Sequence, residues 1–346
     1  MTVTAAVTGE RSAEDLLSWS RSLTEPALRS AVDTLPPSMR LGTGYHLGWW
    51  DREGEPSEAN PGKWIRPALV LLSARTVGGR AEDAVPAAVA VELVHNFSLV
   101  HDDVMDGDRL RRHRPTAWTV FGTANAILFG DAMLGLASQV LARDGGPTAG
   151  TAVAWLNDYV LALCEGQGAD LAFEERDTVS LDECLAMVAG KTGALLAGAC
   201  ALGALAGGGD HDQVQALRQF GEHLGLAFQL VDDLLGIWGA TAQTGKPCGQ
   251  DLVNRKKSLP VVAALAAGTW QSEALADFYS RPEPLGQAEV EEMAALVESA
   301  GGKRWTQREA SRQVAAAVAC LEKGAREPVA ASQLLTLANL ITRRDH

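Results

Sequence analysis

Apolar residues recur at spacings of three and four along most of the chain. No segment alternates apolar and polar positions between turn residues. The pattern predicts helices over residues 12–35, 64–79, 82–106, 118–142, 149–176, 181–206, 211–238, 258–268, 287–300, 304–324 and 328–343. Turn chemistry separates them at Gly78-Gly79, at Asp144-Gly145-Gly146-Pro147, over 207–210, and at Arg281-Pro282-Glu283-Pro284. The stretch from Leu35 to Gly62, with Pro36, Pro37, Pro56 and Pro61, reads as a loop, packed on the domain through Tyr45, Trp49 and Trp50. No composition shift marks a boundary. The expected architecture is all-α, one helical bundle.

Composition narrows the partners. The 346 residues are 47% hydrophobic and 21% charged, which excludes global disorder. Lys and Arg total 30 against 43 Asp and Glu, and the net charge of −13 argues against a nucleic-acid partner. It does not argue against small anions, because a basic pocket fits inside an acidic surface. Five cysteines with no CxxC pair predict free, mostly buried thiols in a reducing compartment and no zinc site. The N-terminal residues lack an apolar core behind a basic end, so no signal peptide and a cytoplasmic location are expected. The uncharged run Thr192–Gly209 approaches membrane-span length. Its Ala and Gly content fits a buried bundle helix better, and no membrane span is expected.

Candidate chemistry gathers in two acidic segments that echo one another, Phe97-Ser98-Leu99-Val100-His101-Asp102-Asp103 and Phe228-Gln229-Leu230-Val231-Asp232-Asp233. Asp102 and Asp106 stand four apart, on one helix face a turn apart. Such a pair repels itself unless a cation intervenes, and oxygen-only ligands favour a hard ion such as Mg²⁺ completed by substrate phosphates. Alone, the pair would fit a solvated helix end. Arg109, Arg111, Arg112 and Arg114 follow within eight residues, and guanidinium forks match phosphate oxygens. After Asp232-Asp233 come Gly245-Lys246, Asp251 and Lys256-Lys257, which are not a P-loop, since Ala240 stands where its first glycine belongs and Pro247 replaces Ser/Thr. Lys63 and Arg66, three apart at a helix start, could face one anion. His95 lies two helical turns before Asp102 on the same side. Two carboxylate clusters on facing helices would meet at one end of a bundle.

These residues resemble the trans (E-type) isoprenyl diphosphate synthases of the polyprenyl synthetase family, from about Gly62 onward. Gly62-Lys63-x-x-Arg66-Pro67 is similar to the early isopentenyl diphosphate motif, and Asp102-Asp103-x-x-Asp106 with Arg111-Arg112 to the first aspartate-rich motif. Gly166-Gln167-x-x-Asp170, Lys191-Thr192-Gly193 and Phe228-Gln229-x-x-Asp232-Asp233 also match. The resemblance implies an all-α isoprenoid synthase fold around a deep apolar cavity, usually a homodimer. It implies that Asp102, Asp106 and Asp232 ligate Mg²⁺, three ions per site with substrate bound. Arg111, Lys191, Lys246, Lys256 and Gln229 would hold the allylic diphosphate, and Lys63, Arg66, His95 and Arg112 that of isopentenyl diphosphate. Residues 1–60 match poorly, and 61–346 would form the catalytic domain. Two departures stand out: Gly236 replaces the last acid of the second motif, and His113 stands where the family often has Gly.

By the same resemblance Mg²⁺ and cationic side chains stabilise the departing diphosphate, and the double bond of isopentenyl diphosphate attacks the allylic cation. Phe97 and Ser98, about one turn before Asp102 at roughly 1.5 Å per residue, resemble the chain-length positions of the geranylgeranyl type, with farnesyl as the alternative product. A class I terpene cyclase would need no isopentenyl site, so Lys63, Arg66, His95 and Arg112 favour elongation. A non-catalytic subunit would be expected to lose acids of the first motif, which this chain keeps.

Overall fold

The structure, a computed structural model, describes residues 11–57, 59, 62–239, 249–281 and 283–342. Within it the chain forms two compact units. The first comprises Met1–Val160, Gly198–Arg218 and Glu322–Leu337, and the second Leu161–Ala197, Gln219–Leu321 and Ala338–His346.

The first unit begins with α1 (Ala13–Val32), which Ser12 caps by accepting from Asp15 N while the Asp15 carboxylate reaches back to the Ser12 backbone. Then come α2 (Pro37–His46), α3 (Ile65–Thr76) and α4 (Val85–Met105). A hairpin of β1 (Leu110–Arg111) and β2 (Arg114–Pro115) leads to α5 (Ala117–Phe121) and α6 (Thr123–Asp144). Helix α4 packs along α3, α1 and α6. Leu69, Leu71, Leu72, Leu93 and Met133 are among the fully buried side chains there.

Two expectations need correction in this unit. The stretch expected as a loop contains α2, because Pro37 takes the first helical position, where a missing N–H costs nothing. Its glycines are packing devices: a Cβ on Gly42 would lie 2.1 Å from the Phe129 ring, and one on Gly44 2.0 Å from Trp50. The expected 118–142 helix is two helices, broken at Gly122 with φ of 85°.

The second unit holds the C-terminal part of α7 (Ala149–Glu175), α8 (Leu181–Val188), a π-turn (Ala189–Gly193) and the start of α9 (Ala194–Ala206). It continues with most of α10 (His211–Trp238), then α11 (Gln250–Val253), α12 (Leu259–Leu265), α13 (Trp270–Ser280) and α14 (Gln287–Ser299). Most of α15 (Gly302–Gly324) and the end of α16 (Pro328–Thr342) complete it. Helix α13 was not expected from the pattern, although Ser272, Leu275 and Phe278 are buried at three-residue spacing and Thr269 caps its start. One core joins Ile237, Leu252, Val261, Leu275, Phe278 and Met293. Another joins Phe173, Cys184, Met187, Leu230 and Leu259.

Ser180 and Glu183 form a reciprocal capping box at the start of α8, the helix that leads into the π-turn. Ser180→Ala is expected to cost about 1 kcal/mol of unfolding free energy. It should appear as a lower denaturation midpoint at unchanged denaturant slope.

Helical segments Glu82–Met105, Thr123–Asp144 and Leu181–Ala206 are long and apolar enough to cross a membrane by length and composition. The run flagged in the sequence falls mainly in the last, whose most apolar window is 67% buried inside the protein. Among the described cysteines Cys164, Cys184 and Cys200 are free, and burial pushes the Cys184 and Cys200 thiols up to about 12.

Candidate active site

The first acidic motif closes α4. Asp106 is the C-cap, and its N–H donates to Asp102 O at 2.8 Å, so the four-residue spacing is a true helical turn. The middle acid points elsewhere. Asp103 is buried and accepts from Arg111 Nε at 2.7 Å, while its Oδ2 has no hydrogen-bond partner. Burial pushes its carboxyl up to about 6 despite that guanidinium.

Arg111 is fixed by the hairpin, whose two turn residues, Arg112 and His113, have φ of 53° and 64°. Consecutive left-handed residues are what a two-residue hairpin turn demands, which explains why glycine suits position 113. Histidine is among the side chains that tolerate the conformation. The same turn lays the Arg112 guanidinium against Gly62, where a Cβ would lie 2.5 Å from Nη2.

Arg66 Nη1 and His95 Nε2 lie 3.2 Å apart, which brings together two residues expected at one anion. Burial and the charges of Arg66, Arg112 and Arg111 hold His95 well below its ordinary range, so the ring is neutral. Lys63 precedes α3, and Trp64 beside it is left-handed (φ 55°), so Lys63 stands before the helix that carries Arg66. Three residues of this region carried no signal that was read. Buried Glu92 accepts from Asn96 Nδ2 at 3.0 Å, and burial raises its carboxyl against the opposing pull of Arg66. His46 is pushed down to about 3 by burial, Arg111 and Arg112. The i, i+4 spacing of Glu92 and Asn96, flanking His95, could have flagged the first two.

The second unit assembles its own group. Lys191 sits in the π-turn, a feature often found at functional sites, and its Nζ donates to Asp170 Oδ2 at 2.5 Å. The turn lies directly on α7: a Cβ on Gly166 would be 2.2 Å from Lys191 N, and one on Gly190 2.7 Å from Ala162 O. Thr192 Oγ1 donates to Gln229 Oε1 at 2.9 Å, and Gln229 Nε2 donates to Asp233 Oδ1 at 2.8 Å. Asp233 also accepts from Leu259 N at 2.9 Å and lies 4.0 Å from Lys256 Nζ. Burial raises its carboxyl to about 6. Burial alone would lower Lys256; Asp233, Asp251, Asp170 and Asp232 outweigh it and raise the ammonium.

In each unit, therefore, the second acid of the pair is buried and engaged, and the first, Asp102 or Asp232, is half-buried. Lys246 lies outside the described residues. Among the described residues no three acidic, histidine or cysteine side chains converge as a metal cage. Carboxylate-only donors without a closed cage suit Mg²⁺, which keeps waters and takes substrate phosphates as ligands.

A family profile described as polyprenyl synthetase matches residues 55–297. The chain belongs to the polyprenyl synthetase family. Among its relatives, a (2E,6E)-farnesyl diphosphate synthase of Mycobacterium tuberculosis is 46% identical over 332 residues, 95% of this chain and 92% of that protein. A geranylgeranyl diphosphate synthase of the same organism is 44% identical over 331 residues, covering 95% and 93%. The crystal structure of a polyprenyl synthetase from Streptomyces coelicolor superposes with a TM-score of 0.90 at 48% identity, over 94% of this chain and 98% of that one. A polyprenyl synthase from Caulobacter crescentus, complexed with calcium and isoprenyl diphosphate, has a TM-score of 0.79 at 25% identity, covering 97% and 99%. The fold is the isoprenoid synthase fold of these polyprenyl synthases, and the chain is a prenyltransferase of the isoprenyl diphosphate synthase type.

Proposed function

We propose that this polyprenyl synthetase extends an allylic diphosphate (dimethylallyl, geranyl or farnesyl) with isopentenyl diphosphate, giving geranylgeranyl diphosphate. The observation that carries elongation is the pairing of Arg66 with neutral His95, with the Arg112 guanidinium against Gly62. These groups form an anion site in the same unit as Asp102 and Asp106 and distinct from their carboxylates. A cyclase, which takes one diphosphate, would have no use for it.

Asp102, Asp106 and Asp232 are the residues that would hold Mg²⁺, as three ions. When bound, the metal stabilises negative charge developing on the leaving diphosphate. Lys191, Lys246, Lys256, Arg111 and Gln229 hold that diphosphate, and Lys63, Arg66, His95 and Arg112 hold the one of isopentenyl diphosphate. Asp170 holds Lys191 in place through its hydrogen bond, and Asp233 helps to keep Lys256 charged. Residues 61–346 form the catalytic domain of a cytoplasmic enzyme. Ile127 and Leu128, exposed on α6, support pairing of that face with a second copy in a homodimer.

Purified protein with Mg²⁺, isopentenyl diphosphate and each allylic starter tests the reading. A twenty-carbon all-trans product is expected, and absence of isopentenyl incorporation would overturn it. A fifteen-carbon end product would place the enzyme with the farnesyl type instead.

Phe97 is assigned to the floor beneath the growing chain. Its buried ring meets His101 edge-on, centroids 4.9 Å apart, and Ser98 beside it spends its hydroxyl on His95 O. Phe97→Ala should therefore lengthen the product, read by chromatography after dephosphorylation. Unchanged length would remove Phe97 from the floor.

A further inference from the structure

The N-terminal helix carries a row of charge that the proposed reaction does not use. Along α1, Leu16, Ser20, Thr24, Leu28 and Val32 are buried, one per turn. Arg21, Glu25 and Arg29 each stand one position further on, so they form a second row beside that buried face. One oxygen of the Glu25 carboxylate accepts from Arg21 Nε at 2.7 Å. The other accepts from Arg29 Nε at 3.1 Å and Nη2 at 2.8 Å. Burial alone would raise this carboxyl; the bonds from Arg21 and Arg29 outweigh it and lower it, so the acid is charged at neutral pH. Each guanidinium in turn lies over a buried tryptophan. Arg21 is 5.7 Å from the centroid of Trp64, and Arg29 is 4.3 Å from that of Trp49.

The two tryptophans stand at either end of the stretch that leads to Gly62 and Lys63. At the near end Trp49 O accepts from Ser57 N at 3.1 Å. At the far end Trp64 has φ of 55° and ψ of 32°, a left-handed conformation that is costly for a bulky side chain and persists only where its surroundings impose it. The Trp64 backbone sets the direction of Lys63 relative to Arg66, which lies in the first turn of α3. We propose that Arg21 and Glu25 are positioning residues, and that the Arg21–Glu25–Arg29 row grips Trp64 and Trp49 so that Lys63 and Arg66 face the diphosphate of isopentenyl diphosphate together. Helix α1 offers a fixed base for this grip. Arg11 and Arg75 each lie 5.7 Å from the Trp19 ring, and Arg75 Nη1 donates to Gln333 Oε1 at 3.0 Å, tying α1 to α3 and α16. The proposal rests on the isopentenyl-site reading above and adds to it residues that lie outside the anion site.

Initial rates of the full-length enzyme with Mg²⁺ test the grip, varying isopentenyl diphosphate at saturating geranyl diphosphate and then the reverse. The Arg21 side chain is partly exposed and alanine suits a helix, so Arg21→Ala is compatible with the fold. Arg21→Ala and Glu25→Gln should each raise the KM for isopentenyl diphosphate roughly 3–10-fold, the size of one lost cation–π contact. The kcat and the KM for geranyl diphosphate should stay near wild type. Arg21→Lys keeps a cation over the ring and should recover most of the loss. A merely structural role would lower kcat through the fraction of folded enzyme, read by circular dichroism, and move neither KM. A wild-type KM for isopentenyl diphosphate in folded Arg21→Ala and Glu25→Gln, or equal changes in both KM values, overturns the proposal. Arg66→Ala separates that failure from failure of the reading beneath it. If Arg66→Ala raises the KM for isopentenyl diphosphate and the α1 variants do not, only the grip of α1 falls. If Arg66→Ala leaves that KM unchanged, the isopentenyl-site reading falls, and the proposal with it.

Discussion

Asp102→Ala is expected to lower prenyl transfer by at least about 10²–10³-fold, the scale for losing one fixed electrostatic contact to developing charge. The substitution removes a half-buried carboxylate near the end of α4 and leaves intact the bond from Asp106 N to Asp102 O, which uses the backbone. The buried Asp103–Arg111 pair and the pairing of the hairpin strands remain in place. Thermal stability should accordingly stay near wild type while turnover collapses. Near-normal rates would contradict the assignment of Asp102 to the metal. Asp103→Ala should behave differently. It leaves the half-buried Arg111 without the buried carboxylate that orients it, so stability and activity should fall together.

Gly166→Val is expected to be the most damaging change outside the acidic motifs. A Cβ at this position would lie 2.2 Å from Lys191 N and 2.7 Å from Gly190 C, both backbone atoms that cannot rotate aside. The π-turn must then lift off α7, and Lys191 would lose its 2.5 Å bond to Asp170. Overpacking of this kind costs about 1–3 kcal/mol or more. The displaced ammonium should also weaken binding of the allylic diphosphate. Calorimetric unfolding and titration with a non-reactive allylic analogue read the two effects separately. A variant with wild-type midpoint and wild-type affinity would show that the close approach of α7 and the π-turn does not position Lys191.

Much of the fold was legible because helical periodicity is local. The 211–238 helix was expected at its observed limits, and 149–176 to within a residue, because their apolar residues repeat at helical spacing over many turns. Helix α13 was missed despite its three-residue spacing, and two further errors fell where a single residue overrules the pattern. Gly122 divides one expected helix, and Pro37 begins a helix in a stretch whose prolines suggested a loop. Of the candidate site, the residues alone offered the turn spacing of Asp102 and Asp106, the cations Lys63, Arg66 and Lys256, and His95 in register with Asp102; Lys191 and Gln229 came only from the family resemblance. His46 was missed because an isolated polar residue has no spacing to betray it, whereas Glu92 had a partner four residues on in Asn96.

The sequence by itself determined the helical class, the turn-spaced acids and the mixture of carboxylate and cation that diphosphate chemistry requires. Each of these depends only on near neighbours along the chain. Tertiary structure alone decided which acid of each pair is buried and engaged, why His113 can stand in a left-handed turn, and what fills the space over Gly236. Those answers turn on which atoms occupy a given volume. The occupants come from elsewhere in the chain: Arg111 at Asp103, Leu259 N at Asp233, Asp251 at Gly236. Spacing along a helix announces where a carboxylate could project, but only packing determines whether the space is already taken.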